Sequence, residues 1–244
     1  MVLQTRRAIA EALRRIPYFA RLGEAPLAAL AGRVRVRHHA SGDMLAVEGW
    51  PSKGLFFVVR GHVRVYRVTP DGREQVLRVV GPGGTFNDAA AFDEGPCAES
   101  AIALGPATTG LVPGDTLCAM LDGHPEIARA ATRVLAARHR AMGQVVEDLA
   151  LRDVTARVAR LLLGCAGRRS YMVEGAPDAC ARITHQEIAT MIGSVREVVQ
   201  RSLKELERAG AIKLGRARIN IVDADILERL SETPSDDRKA GSDG

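Results

Sequence analysis

The stretch ITHQEIATMIGSVREVVQRSLKELERAGAI, residues 183–212, decides how this chain is read. Thr184 precedes a short apolar-periodic run and has Glu187 three residues later. That is capping-box spacing, in which the hydroxyl and the carboxylate each satisfy an N–H at the helix start. Gly193 follows about two turns on, where a tight turn between helices needs a permissive backbone. Ser194 and Glu197 repeat the capping-box spacing and predict a second helix, which runs to about Ala209 and stops at Gly210. A short helix, a glycine turn and a longer helix make a helix-turn-helix. Its second helix enters the major groove of DNA with its N-terminus first.

The chemistry of the second helix suits that task. Arg196, Glu197, Gln200 and Arg201 share one face, because 196/200 and 197/201 are spaced i,i+4. The other face carries Val198, Leu203 and Leu206 as expected core anchors. Arginine pairs bidentately with guanine, and glutamate accepts from the cytosine amino group. The four are therefore candidate base readers, and Glu197 has two candidate roles, helix cap and base contact. Beyond Gly210, AIKLGRARINIVD predicts a small β-hairpin around Leu214-Gly215-Arg216, a wing. Lys213, Arg216 and Arg218 on the wing are candidate phosphate contacts, with Thr184, Gln186, Ser194 and Lys204 on the helices; such contacts position a protein without reading sequence. Residues 182–218 hold eight Lys/Arg against four acids.

Upstream, helical periodicity runs from His124 to Leu149, with Asp122 as the expected N-cap and Pro125 in the first turn. Leu135, Met142 and Leu149 recur every seven residues, with Ala128, Ala131, Val145 and Val146 on or near the stripe. A seven-residue repeat on a long helix predicts pairing with a second long helix, hence a homodimer. Leu135, His139, Met142, Val146 and Leu149 are its candidate interface. Residues 33–112 have another texture: short alternating runs, RVRVRHH, LFFVVRG, HVRVYRV and EQVLRVV, broken by glycine and by the turn Pro70-Asp71-Gly72. They predict an antiparallel roll or sandwich. A helix is expected over residues 4–16, with Ile9, Leu13 and Ile16 on one face. The fold class is thus α+β. The expected domains are a β-roll sensor over 1–122, a dimerising helix over 123–150, a winged helix-turn-helix over 151–232 and a disordered tail over 233–244.

Composition excludes several classes. In 244 residues no apolar run approaches membrane-spanning length, so no membrane association is expected. Glu11, Arg14 and Arg15 interrupt any signal-peptide core, which makes the expected location cytoplasmic. The net charge of +5 permits nucleic-acid binding. Cys97, Cys118, Cys165 and Cys180 form no metal-ligand spacing, so four reduced thiols and no metal site are expected. Motifs such as G-x-S-x-G, the P-loop and H-E-x-x-H are absent, and no enzyme is expected.

Nearly the whole chain resembles the Crp/Fnr family, that of the cyclic-AMP receptor protein and the fumarate–nitrate reduction regulator. The resemblance lies in IPYFARL, GLFFVVRGHVRVYR, the PGGTF turn, HPEI, LRDVTARVARLLL and ITHQEIATMIGSVREVVQRSLKELE. It implies a cyclic-nucleotide-binding-like jelly roll, a dimerising helix and a winged helix-turn-helix, with RNA polymerase as a partner of an activator or dual regulator. Arg196, Glu197 and Arg201 match the R-E-x-x-x-R pattern of the cyclic-AMP receptor branch, which implies a palindrome of TGTGA-like half-sites. Val195 stands where a small polar residue is common. The effector cassette departs from the nucleotide-binding pattern. Asn87-Asp88 stand near its Gly-Glu position, and Glu99-Ser100 replace its Arg-Ser. Met142 and Gly143 replace the hydroxyl pair that contacts adenine. A carboxylate in place of the guanidinium repels a phosphate. These six residues are the candidate effector pocket, and its expected ligand is not cyclic AMP. Two alternatives stay open: a cyclic-nucleotide-binding signalling module, and a haem-, redox- or nitric-oxide-switched sensor.

Overall fold

A computed structural model describes residues 2–70, 72, 74–166, 173–174, 183–215 and 218–232. The chain forms two compact units, Met1–Arg67 with Val79–His139, and Val68–Arg78 with Arg140–Gly244.

The first unit opens with α1 (Val2–Arg14) and α2 (Glu24–Arg33). The expected stripe is buried, but the helix ends at Arg14, and Ile16 is buried in the turn that follows. The strands β1 (Arg35–His39), β2 (Met44–Ala46), β3 (Gly54–Arg60), β4 (Val63–Val68), β5 (Glu74–Val80, of which Glu74–Arg78 belongs to the second unit) and β6 (Thr85–Phe86) come next. After a short α3 (Asp88–Phe92) come β7 (Ser100–Ala103), β8 (Ala107–Pro113) and α4 (Gly114–Gly123). One antiparallel sheet has the order β1-β8-β3-β6, and in a second β7 lies between β2 and β4. In β3 the run Gly54–Val58 is buried throughout, as suits a strand paired on both edges. Phe56 and Phe86 stack with ring centroids 5.1 Å apart inside a core shared with Val63, Val65 and Leu111. A second core joins Leu13, Phe19 and Leu27 to Phe57, Leu117, Ile127 and Ala131. The β4–β5 turn is closed by the Gly72 N–H donating to the Thr69 carbonyl at 2.8 Å, while Asp71 lies outside the described residues.

The long helix α5 spans Pro125–Leu151, 27 residues or about 40 Å at 1.5 Å per residue. Asp122 does not cap it, because α4 already occupies Gly114–Gly123 and holds Asp122 in its last turn. Ala131 also leaves the predicted dimer stripe. With Ile127 and Val134 it packs on the core of its own unit.

In the second unit, α6 (Val154–Cys165) is capped by Asp153, which accepts from the Ala156 N–H at 2.7 Å. Eight of its residues are buried, as expected of a helix packed by α8 and α9. The short β9 (Val173–Glu174) lies beside β5. Then come α7 (His185–Ile192), α8 (Arg196–Arg208), the antiparallel pair β10 (Ile212–Gly215) and β11 (Arg218–Ile221), and α9 (Ala224–Glu232). The tail over 233–244 lies outside the described residues. Cys165 is disulfide-bonded, which overturns the expectation of four reduced thiols. Disulfides depend on how closely the fold brings two Cα atoms, which spacing along the chain does not reveal. Cys97 and Cys118 are free thiols that burial pushes above the ordinary cysteine range, and Cys180 lies outside the described residues.

Candidate nucleic-acid interface

The turn before α8 is built by local chemistry. The Thr184 hydroxyl accepts from the Glu187 N–H at 3.1 Å, and the Glu187 carboxylate takes the Thr184 N–H at 2.7 Å. Thr184 is thereby committed to its cap. Gly193 closes α7 in the left-handed region, φ +65°, which a side chain rarely adopts. A Cβ there would also meet Gln75 Oε1 at 2.9 Å. Gln75, from the hairpin tip that belongs to the same unit, donates its amide to the Met191 carbonyl at 3.1 Å. Arg157 donates to the Ile192 carbonyl at 2.8 Å. Two of the carbonyls that α7 leaves open are thus held by side chains.

The second capping box does not form. The N-cap of α8 is Val195, whose side chain cannot accept a hydrogen bond, and Ser194 falls one position too early. Glu197 consequently has no cap to make. Arg196, Glu197, Gln200, Arg201 and Lys204 are all exposed, and none of their side chains forms a hydrogen bond or ion pair among the described residues. The opposite face packs inward through Val199, Leu203 and Leu206; Val199 is the buried valine, while Val198 is only half-buried. Ser202 sits under that face, its hydroxyl 3.0 Å from the Thr155 hydroxyl, whose proton Glu205 takes at 2.8 Å. This fixes α8 against α6. Gln186, Lys213 and Arg218 are exposed, Ser194 is half-buried, and Arg216 and Arg182 lie outside the described residues.

On α5 the candidate interface is open in the single chain. Met142, Val146 and Leu149 are 47%, 61% and 47% exposed. Leu135 is half-buried and His139 exposed. The positions 135, 139, 142, 146 and 149 are spaced alternately by four and three, the a/d spacing of a heptad seam.

The effector candidates separate by unit. Asn87 sits at the N-cap of α3 with φ +60°, a conformation asparagine tolerates, and donates to the Ser52 hydroxyl at 2.9 Å. Asp88 is 1% exposed. Its carboxylate accepts from the Tyr18 hydroxyl at 2.9 Å and is ion-paired with Arg138 of α5. Arg138 also donates to the Thr85 carbonyl at 3.0 Å and the Thr85 hydroxyl at 3.1 Å. Breaking such a buried pair from one side typically costs about 3–5 kcal/mol, because the remaining charge is left unpaired. The Ser100 hydroxyl already accepts the Glu48 N–H at 3.1 Å. Glu99 is half-buried and adds to the carboxylate charge acting on Arg67, which is held above its ordinary range chiefly by its hydrogen bond to Glu48. Met142 and Gly143 lie on the exposed stretch of α5 in the second unit.

Sequence reasoning missed Tyr18, Thr85 and Arg138. Only Arg138 carried a signal: it prolongs the inward-facing stripe Ile127, Ala131 and Val134 by one more step of four. A charge at the end of a core stripe calls for a buried partner.

A β-roll followed by a long helix and a winged helix-turn-helix defines a class, the DNA-binding regulators that carry a sensor domain. The cyclic nucleotide-binding domain family matches residues 36–124, and the Crp-like helix-turn-helix domain family matches residues 156–230. The chain is 32% identical over 219 residues to the CRP-like cAMP-activated global transcriptional regulator of Mycobacterium tuberculosis, covering 90% of this chain and 98% of that one. It is 27% identical over 195 residues to the cyclic AMP receptor protein of Thermus thermophilus, covering 80% and 87%. Among solved structures, a CRP-family transcriptional regulator of Thermus thermophilus is 29% identical with a TM-score of 0.62, covering 81% and 97%. FixK2 of Bradyrhizobium japonicum shares the fold at 22% identity and a TM-score of 0.69, covering 82% and 98%. The chain belongs to the Crp/Fnr family of transcription regulators. It is a DNA-binding regulator with a cyclic-nucleotide-binding-type domain, and it is not an enzyme.

Proposed function

We propose that this regulator acts in the cytoplasm as a homodimer that reads a two-fold palindrome of TGTGA-like half-sites through α8. Arg196, Glu197, Gln200 and Arg201 read bases. Lys204, Lys213 and Arg218 meet phosphates, as does Arg216, with Gln186, Ser194 and the N-terminus of α7 at Thr184 setting register. RNA polymerase is the expected protein partner. The domains are a β-roll over 1–122, a dimerising helix over 123–150, a reading domain over 151–232 and a tail over 233–244. One observation carries the DNA reading: Glu197 and its three neighbours form an exposed polar face with no partner of their own among the described residues. The two reading helices of a dimer would lie about one DNA turn, near 34 Å, apart. Selection from a random duplex library tests this. We expect an inverted repeat with half-site centres about 10 base pairs apart. A single unrepeated element, or half-sites at no fixed spacing, would refute the dimeric reading.

An effector at the β-roll shifts the long helices between two packing arrangements and thereby repositions α8. We infer that this effector is not cyclic AMP. The support is chemical: Asp88 is engaged by Arg138 and Tyr18, Ser100 by the backbone, and Glu99 offers a phosphate only repulsion. The names of the relatives favour cyclic AMP as the second reading. Calorimetric titration separates the two. The expected result is no dissociation constant below roughly millimolar, equivalent to about 4 kcal/mol, and a micromolar constant would reverse the inference. Glu99→Arg alone should not create tight binding, because Met142 and Gly143 still lack hydroxyls for the base.

A further inference from the structure

Val195 is an anomaly in an otherwise orthodox reading head. It occupies the N-cap of α8 in an extended conformation, φ −111° and ψ 153°, with no side-chain cap. Serine, threonine, asparagine or aspartate there typically adds about 1 kcal/mol of stability over an aliphatic residue. The valine does not recover this by burial. It is 58% exposed. It projects from the N-terminal tip of the helix, one residue before Arg196, and the half-exposed Val198 lies one turn along. The tip therefore offers a small apolar step beside a row of polar side chains.

In the major groove only one base edge presents an apolar group, the 5-methyl of thymine. Helices of this type enter the groove N-terminus first, so the N-cap and first turn come nearest the bases and the groove wall. An exposed aliphatic residue at the N-cap gains nothing from a phosphate but can bury a methyl group against its own.

We propose that Val195 is a specificity-determining residue that contacts the 5-methyl of a thymine next to the G·C pair read by Arg196. This rests on α8 being the base-reading helix. Val195 makes the thymine requirement at that step a contact with the protein and not a consequence of DNA shape.

The test uses the full-length protein and the palindrome returned by library selection. Each thymine is replaced in turn, symmetrically in both half-sites, by deoxyuridine, which lacks only the methyl group. Affinity is read by fluorescence anisotropy. Burying one carbon is worth about 0.8 kcal/mol, so one position per half-site should weaken wild-type binding about fourfold, or about fifteenfold over two half-sites. In Val195→Ser that position should become indifferent to the methyl, and in Val195→Ala less sensitive to it than in the wild type, while sensitivity elsewhere is unchanged. Val195→Ser should fold normally, because serine is a preferred N-cap. Two results would overturn the proposal alone: a specific palindrome in which no thymine methyl matters to the wild type, or a sensitive position equally sensitive in both variants. Selection that returns no specific sequence would overturn the base-reading role of α8, and this proposal with it.

Discussion

Val146→Glu is expected to leave a folded monomer that binds the palindrome at least about a hundredfold more weakly. The argument begins with exposure. Val146 is 61% exposed in the single chain, the most exposed of the four large apolar side chains on the proposed seam. Its replacement should leave the protomer folded, with native far-UV circular dichroism, while its urea midpoint falls by the stabilisation that association gave the wild type. In a two-fold dimer each residue near the axis meets its own copy or a close neighbour. Glutamate at that position opposes two carboxylates across the seam and removes two apolar side chains from it. Losing the dimer also loses the linkage between half-sites, and joining two modules is worth roughly 10²–10⁴ in avidity without any new contact. Sedimentation velocity reads the first effect and anisotropy on the palindrome the second. A variant that stays dimeric with wild-type affinity would show that the seam lies elsewhere. Val146→Leu, which keeps the seam apolar, should preserve both.

Arg196→Ala is expected to weaken binding by about 1–3 kcal/mol per half-site, and twice that over the dimer, with preference lost at one G·C pair in each. Its guanidinium is exposed in the first turn of α8 and has no partner among the described residues, so removal leaves nothing unpaired within the protein. The loss can then be assigned to the DNA. Selecting sites in parallel with wild type and variant separates the roles. A base reader relaxes one column of the consensus, whereas a phosphate contact weakens all sequences alike. Lys213→Ala supplies the contrast, with uniform weakening and a salt slope shallower by about 1 per half-site, or about 2 over the dimer. An unchanged consensus for Arg196→Ala would remove Arg196 from the base readers. Glu197 bears on the same point. Since the second capping box does not form, its carboxylate is not consumed at the helix start and is open to a cytosine amino group.

The helix-turn-helix was legible because each of its signals spans only a few residues. Thr184 reaches Glu187 within one turn, Gly193 answers a backbone angle at its own position, and the polar face of α8 repeats at helical spacing. The strands of the roll follow the same logic, since periodicity reports which side of an element avoids water. Even here the reading slipped where two local signals competed. Ser194 and Glu197 have capping-box spacing, yet the left-handed Gly193 delays the helix to Arg196 and leaves Val195 at the cap. Other features have no local signature. Tyr18 meets Asp88 across 70 positions, and Arg138 reaches the same carboxylate from the long helix. Ala131 faces its own core and not the predicted seam, and Gln75 holds the Met191 carbonyl 116 positions away. Cys165 likewise forms a disulfide that no spacing announced. Periodicity shows that a side chain is turned inward but not what it meets there. A buried carboxylate, an open carbonyl or a thiol is satisfied by whichever group the packed chain brings within about 3 Å, and that proximity arises only when distant segments are folded together.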